Sequence, residues 1–209
     1  MQKIDQAVID QSITYAAHRE VIDTLYAEGR TTNEENSESM LHYTKMNVSR
    51  MNRLDRKTAL LPEVEKFLQS INESQIWLVL TEGWCGDAAQ ILPVMNKMAE
   101  SNPKIDLRII FRDQHLEVMD AFLTNGARSI PKLLVLDSAS YEVLLSWGPR
   151  PSDAQQLMLN AKEKVKTITD QVEQKAYWNE VKINLQKWYN KDKTAHTQLE
   201  IIEALQKGE

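Results

Sequence analysis

The run Ile76-Trp77-Leu78-Val79-Leu80 constrains this chain more than any other stretch. Consecutive apolar residues without alternation mark a strand covered on both faces, which requires a sheet with helices on its two sides. The run stops at Gly83, and the only cysteine of the chain, Cys85, follows at once. Beyond it, Ile91, Leu92, Met95 and Met98 recur at helical spacing, so Ala88 to Ala99 is predicted as a helix, with Pro93 kinking its interior. The thiol therefore sits where a buried strand hands over to a helix N-terminus. Unpaired backbone N–H groups and the helix dipole favour an anion there.

The flanking segments supply the rest of such a sheet. Ile105 to Phe111 is predicted as a strand, and His115 to Thr124 as a helix stopped by Asn125-Gly126. Leu133 to Leu136 and Val143 to Trp147 are strands joined by a short hairpin over Asp137 to Tyr141. The order β-α-β-α-β-β implies an α/β fold with a central mixed four-stranded sheet flanked by helices, parallel at the crossovers and antiparallel at the hairpin.

On the N-terminal side, Lys3 to Ala27 reads as one helix, Arg30 to Ser39 as a solvated linker, and Met40 to Arg56 as a second helix. Pro62 opens a third. On the C-terminal side, Ser152-Asp153 starts a helical stripe through Ala154, Leu157, Ala161, Val165, Ile168 and Val172. Lys175 to Tyr189 continues it with Tyr177, Trp178, Trp188 and Tyr189, and a last helix follows a polar break over Asn190 to Thr194. Three parts follow: a helical extension over residues 1–61, an α/β domain over 62–168, and a second helical extension over 169–209.

Composition excludes several classes. A net charge of −5 over 209 residues of mixed sign argues against a general nucleic-acid or membrane-surface binder. No apolar run is long enough to span a bilayer, and Met1 to Gln6 lacks the apolar core of a secretory signal. One cysteine forms no internal disulfide and fits a reducing compartment, so a cytoplasmic location is expected. His18, His42, His115 and His196 are scattered without ligand spacing, so neither a metal nor a cofactor is expected.

Trp84-Cys85-Gly86-Asp87-Ala88 resembles the Trp-Cys-Gly-Pro-Cys motif of thioredoxins. Pro93 matches the proline that kinks their active-site helix, and Asn125-Gly126-Ala127-Arg128-Ser129-Ile130-Pro131-Lys132-Leu133-Leu134-Val135 resembles the segment carrying their cis-proline. The stretch Asn47 to Asp55 is similar to a helix that precedes this part in one subgroup of thioredoxin-like proteins. The resemblance covers about Pro62 to Ile168 and implies a thioredoxin-like fold with Cys85 beside a cis Pro131, the backbone of Ile130 being open to an extended substrate. Two departures stand against it. Ala88 replaces the resolving cysteine, and Asp87 the intervening proline. Val79 stands where the family carries the buried aspartate that serves the missing thiol. A dithiol–disulfide cycle within this one site is therefore excluded.

The expected site is Cys85 as nucleophile, with Trp84, Gly86, Asp87, Arg128, Ile130 and Pro131 as binding residues. A cysteine at a helix start has its pKa drawn down, though Asp87 opposes this. Three readings stay open. Cys85 exchanges with a protein disulfide or a small thiol, and an external thiol resolves the intermediate. The chain is instead a redox-inactive binding or adaptor protein, or Cys85 is an oxidation sensor. Arg50, Arg53, Arg56 and Lys57 are read as an anion site near Cys85 or as a solvated helix end. The aromatic stripe of Trp178, Trp188 and Tyr189 is read as packing on the domain or as a homodimer surface.

Overall fold

The computed structural model describes residues 2–33 and 36–208. In chain order its elements are α1 (Gln6–Gln11), β1 (Ile13–Thr14), α2 (Tyr15–Ala27), α3 (Glu38–Lys57), α4 (Pro62–Ser70), β2 (Gln75–Thr81), α5 (Ala88–Ala99) and β3 (Ile105–Phe111). They continue as α6 (Leu116–Ala121), β4 (Lys132–Asp137), β5 (Val143–Trp147), α7 (Ser152–Val165), α8 (Gln171–Asp192) and α9 (Ala195–Gly208).

The sheet is mixed, in the order β1-β3-β2-β4-β5. The central strand β2 pairs parallel with β3 and antiparallel with β4, with Val79 opposite Ile109 and Leu133. As the unbroken apolar run requires, Ile76 to Thr81 are all buried, and Trp77, Leu78, Val79 and Leu80 have no exposed surface. The helix after Cys85 spans the predicted residues and is buried nearly all round, because it packs on β3, α3 and α9 together.

Three expectations are corrected. The sheet has five strands, not four. The extra one comes from inside the single helix expected over Lys3 to Ala27. There the Ser12 hydroxyl turns back to the Ile9 carbonyl at 2.5 Å, and the side chain of Thr14 caps α2 by accepting from the Ala17 N–H at 3.2 Å. Between these stops Ile13 and Thr14 pair antiparallel with Ile109 and Arg108, and Arg108 donates to the carbonyl of Ser12 at 2.7 Å. The long C-terminal stripe also breaks. It ends α7 at Val165 and resumes in α8, which Asp170 caps by accepting from the Glu173 N–H at 2.8 Å.

The third correction concerns the solvated linker, of which residues 34 and 35 lie outside the described residues. Thr31 is buried, and the hydroxyl of Thr32 reaches the loop after β2.

Candidate functional site

The loop from Glu82 to Asp87 carries the chain from β2 into α5, with the Cys85 N–H donating to the Glu82 carbonyl at 3.0 Å. Cys85 is only 7% exposed, and its thiol donates to the carbonyl of Ile130 at 3.4 Å. The Ile130–Pro131 peptide is cis. Ile130 is itself buried, and its carbonyl, expected to be open to a substrate strand, already accepts the thiol.

Burial pushes the Cys85 thiol up to about 12, and the Asp87 carboxylate adds to the rise. The N–H groups of Ala88 and Asp87 and the Arg150 guanidinium pull the other way and lose. The helix-terminus effect expected from the sequence is thus present but outweighed by desolvation.

Asp87 holds the far side of the loop. One carboxylate oxygen meets Arg150 Nη2 at 2.6 Å, and the other accepts the phenol of Tyr189 at 2.9 Å. Arg150 is held in turn through Nη1, which donates to Gln155 Oε1 at 3.0 Å. Tyr189 and Leu185 are buried residues of α8, so this helix lies over the thiol loop. A further tie is the Gln90 amide, which donates to Gln186 at 2.6 Å. Tyr189 therefore faces inward, onto Asp87.

Glu82 holds the near side. It is 1% exposed, and its carboxylate accepts from the Thr32 hydroxyl and, at 2.9 Å, from the Asp113 N–H. Burial pushes this carboxyl up to about 7 against those two hydrogen bonds. Gly83 is clamped on both sides: its N–H donates to Thr32 at 3.1 Å, and its carbonyl accepts from the fully buried Asn47 at 3.0 Å. A Cβ at position 83 would stand 3.1 Å from Ile22, so this close approach favours glycine. Trp84 is half-buried, with the Arg112 guanidinium 5.1 Å from its ring centroid.

Cys85, Asp87, Ile130 and Pro131 are thus brought together, with Trp84 and Gly86 on the same loop. Arg128 is instead forked on Asp120 at 2.6 and 2.7 Å, with both side chains about half exposed. The cation that acts on the thiol is Arg150. Sequence reasoning gave no role to Glu82, Thr32, Arg150 or Gln186. Arg150 had one local signal, its place between Pro149 and Pro151. Asn47 opens the stretch likened to a subgroup helix, and its function there is to hold Gly83.

Among the described residues, no group of three or more His, Cys, Asp or Glu side chains could hold a metal ion. No described helix is long and apolar enough to cross a membrane.

Comparison with solved structures finds a protein of unknown function from Pseudomonas aeruginosa, 17% identical, with a TM-score of 0.56 over 94% of this chain and 99% of that one. An HIV epitope-scaffold, also 17% identical, superposes with a TM-score of 0.50 over 93% of this chain and 98% of its own. At this identity both show the fold alone. No curated protein matches the sequence. The family profile described as thioredoxin matches residues 33–166, more than half of the sequence, and the chain belongs to the thioredoxin family.

Proposed function

We propose that this chain is a thioredoxin-fold binding protein in which Cys85 is a structural thiol. The observation that carries this reading is the enclosure of the thiol: 7% exposed, donating to Ile130, and lying beneath the Tyr189–Asp87 contact from α8. A thiol that is not ionised near neutral pH is a poor nucleophile, and Ala88 offers no second sulfur to complete a cycle. In this reading residues 169–209 act as a shield over the site and residues 1–61 as its brace. A reduced lone thiol fits the cytoplasm, where we place the protein.

The test is alkylation of Cys85 by iodoacetamide at pH 8, native against urea-unfolded. The native thiol is expected to react on the order of a thousandfold more slowly. A native rate equal to the unfolded rate, with a titration midpoint below pH 8, would overturn the proposal.

A second reading is favoured by one observation, the Asp87 and Ala88 N–H groups directed at the sulfur. If α8 undocks, the Cys85 thiolate attacks the disulfide of a protein or small molecule, forming a mixed disulfide and expelling one thiolate. An external thiol then releases Cys85. Disulfide-linked partners trapped with wild type and absent with Cys85→Ala would establish this reading over the first.

A further inference from the structure

Beside Gly86, α3 carries positive charge that no described carboxylate pairs. Arg50 and Arg53 are half-buried on α3, three residues apart, and among the described residues neither has an acidic group within ion-pairing distance. Like charges at this spacing repel. Asp87, the acid that acts on Arg50, has both oxygens engaged by Arg150 and Tyr189.

The two arginines are also held in place. Arg50 Nη1 donates to Asn47 Oδ1 at 2.8 Å, and Asn47 is fixed by donating its amide to Gly83. Arg53 donates to Gln90 Oε1 at 3.5 Å, and Gln90 donates to Gln186 Oε1, which turns the Gln186 amide N–H groups outward from that contact. With Arg53 behind them on Gln90, Arg50 and Gln186 meet over Gly86. A Cβ at that position would stand 3.5 Å from Arg50 Nη1 and 3.9 Å from Gln186 Nε2. Glycine thus leaves room for one methyl-sized atom, enough for a single ligand oxygen, beneath a guanidinium and an amide, one residue from Cys85.

We propose that Arg50 and Gln186, over Gly86 and with Arg53 adding its charge one turn along α3, form a subsite for the oxyanion of a small molecule, a carboxylate or a phosphate. A guanidinium fork and an amide are suited to a group with two oxygens in one plane, and an arriving anion relieves the repulsion between the arginines. This deepens the binding-protein reading and rests on it. It gives the ligand an acidic group and places that group at the loop that α3 and α8 enclose.

The experiment measures thermal stability against sodium succinate and, separately, inorganic phosphate, with ionic strength held constant by sodium chloride. A ligand that binds only the native state raises Tm with concentration. A saturable rise is expected in wild type with at least one of the two probes, and the stronger probe identifies the oxyanion. Arg50→Gln should weaken the apparent affinity about tenfold or more. Gly86→Ala should do the same by filling the space. Its added methyl meets Arg50 at ordinary contact distance, so it keeps the test decisive where Arg50→Gln fails to fold. Arg56→Gln, at an exposed position of the same helix, should bind as wild type.

No saturable rise with either probe, an undiminished rise in both Arg50→Gln and Gly86→Ala, or an equal loss in Arg56→Gln would overturn the subsite. Rapid native alkylation of Cys85 overturns the structural-thiol reading, whereas the anion titration, run also in Cys85→Ala, reports on the subsite alone.

Discussion

Glu82 and Asp87 are buried carboxylates on the two sides of Cys85, in one short loop, and their surroundings are opposite in kind. Asp87 faces a guanidinium at 2.6 Å and a phenol at 2.9 Å. Glu82 accepts from a hydroxyl and a backbone amide, with the Asp113 carboxylate opposing its ionisation and Arg112 only weakly relieving it. A neutral donor pair does not repay the desolvation of a charge, so the Glu82 side holds a proton near neutrality. The Asp87 side is built around an ion pair. The loop is thus fastened to the linker before α3 and to the turn after β3 by a carboxyl that titrates, and to Arg150 and α8 by groups that form a charged contact.

The largest expected effect comes from breaking the charged side. Arg150→Met leaves the Asp87 carboxylate buried without its cation and should cost about 3–5 kcal/mol in urea denaturation. Combining it with Asp87→Asn should recover a large part of that loss. Strict additivity of the two substitutions would show that the ion pair contributes no coupling.

Next in size is Glu82→Gln. The folded pKa of Glu82, about 7, lies above the ordinary value of 4.5, so the folded state binds more protons in this window and stability falls as pH rises through it. Glu82→Gln should remove that fall, leaving the variant roughly 2–3 kcal/mol more stable than wild type at pH 8 and little changed at pH 4. His18 contributes the opposite sign. It is buried between the rings of Tyr15 and Phe111, which holds it down at about 3. The unfolded chain takes up that proton first as pH drops below 6.5, so this residue makes stability rise with pH between about 3 and 6.5. With Glu82 removed, the fall it causes should disappear from the pH profile measured by denaturation, and the rise from His18 should remain.

The smallest effect belongs to Tyr189→Phe, which deletes one hydrogen bond to Asp87 and should cost about 1.5 kcal/mol. Because that bond ties α8 to the loop, native alkylation of Cys85 should accelerate about tenfold. An unchanged alkylation rate at reduced stability would show that α8 is not what encloses the thiol.

What could be read from the sequence divides along the same lines. The central strand carries an unbroken apolar run, and the helix after Cys85 and the strand over Ile105 to Phe111 their own periodicity, so each was legible by itself. Cys85, Ile130 and Pro131 were legible through two motifs. The two residues of β1 carry no period, and only their pairing with Ile109 and Arg108 makes them a strand. Arg150 and Tyr189 meet Asp87 across 63 and 102 positions of sequence, a relation that no local pattern encodes. Glu82 looked like any polar residue at a strand end, because its burial depends on Thr32 and the segment at Asp113 closing over it. The fall in thiol pKa expected from the helix terminus failed for a related reason, since desolvation is set by the helices packed above and not by the loop itself.

The segment from Gln2 to Thr14 has a consequence of another kind. Gln2 and Ile4 exchange backbone hydrogen bonds of 2.8 and 3.0 Å with Val143 and Tyr141, where β5 begins, and Ile13 and Thr14 then pair with β3 at the opposite end of the strand order. One short segment therefore touches both outermost positions of the sheet. Unpaired sheet edges are templates for another strand, whether a peptide or a second chain. The strap thus pairs backbone at Tyr141 and Val143 on one rim and at Arg108 and Ile109 on the other, and its loss would expose these groups at both ends of the sheet at once.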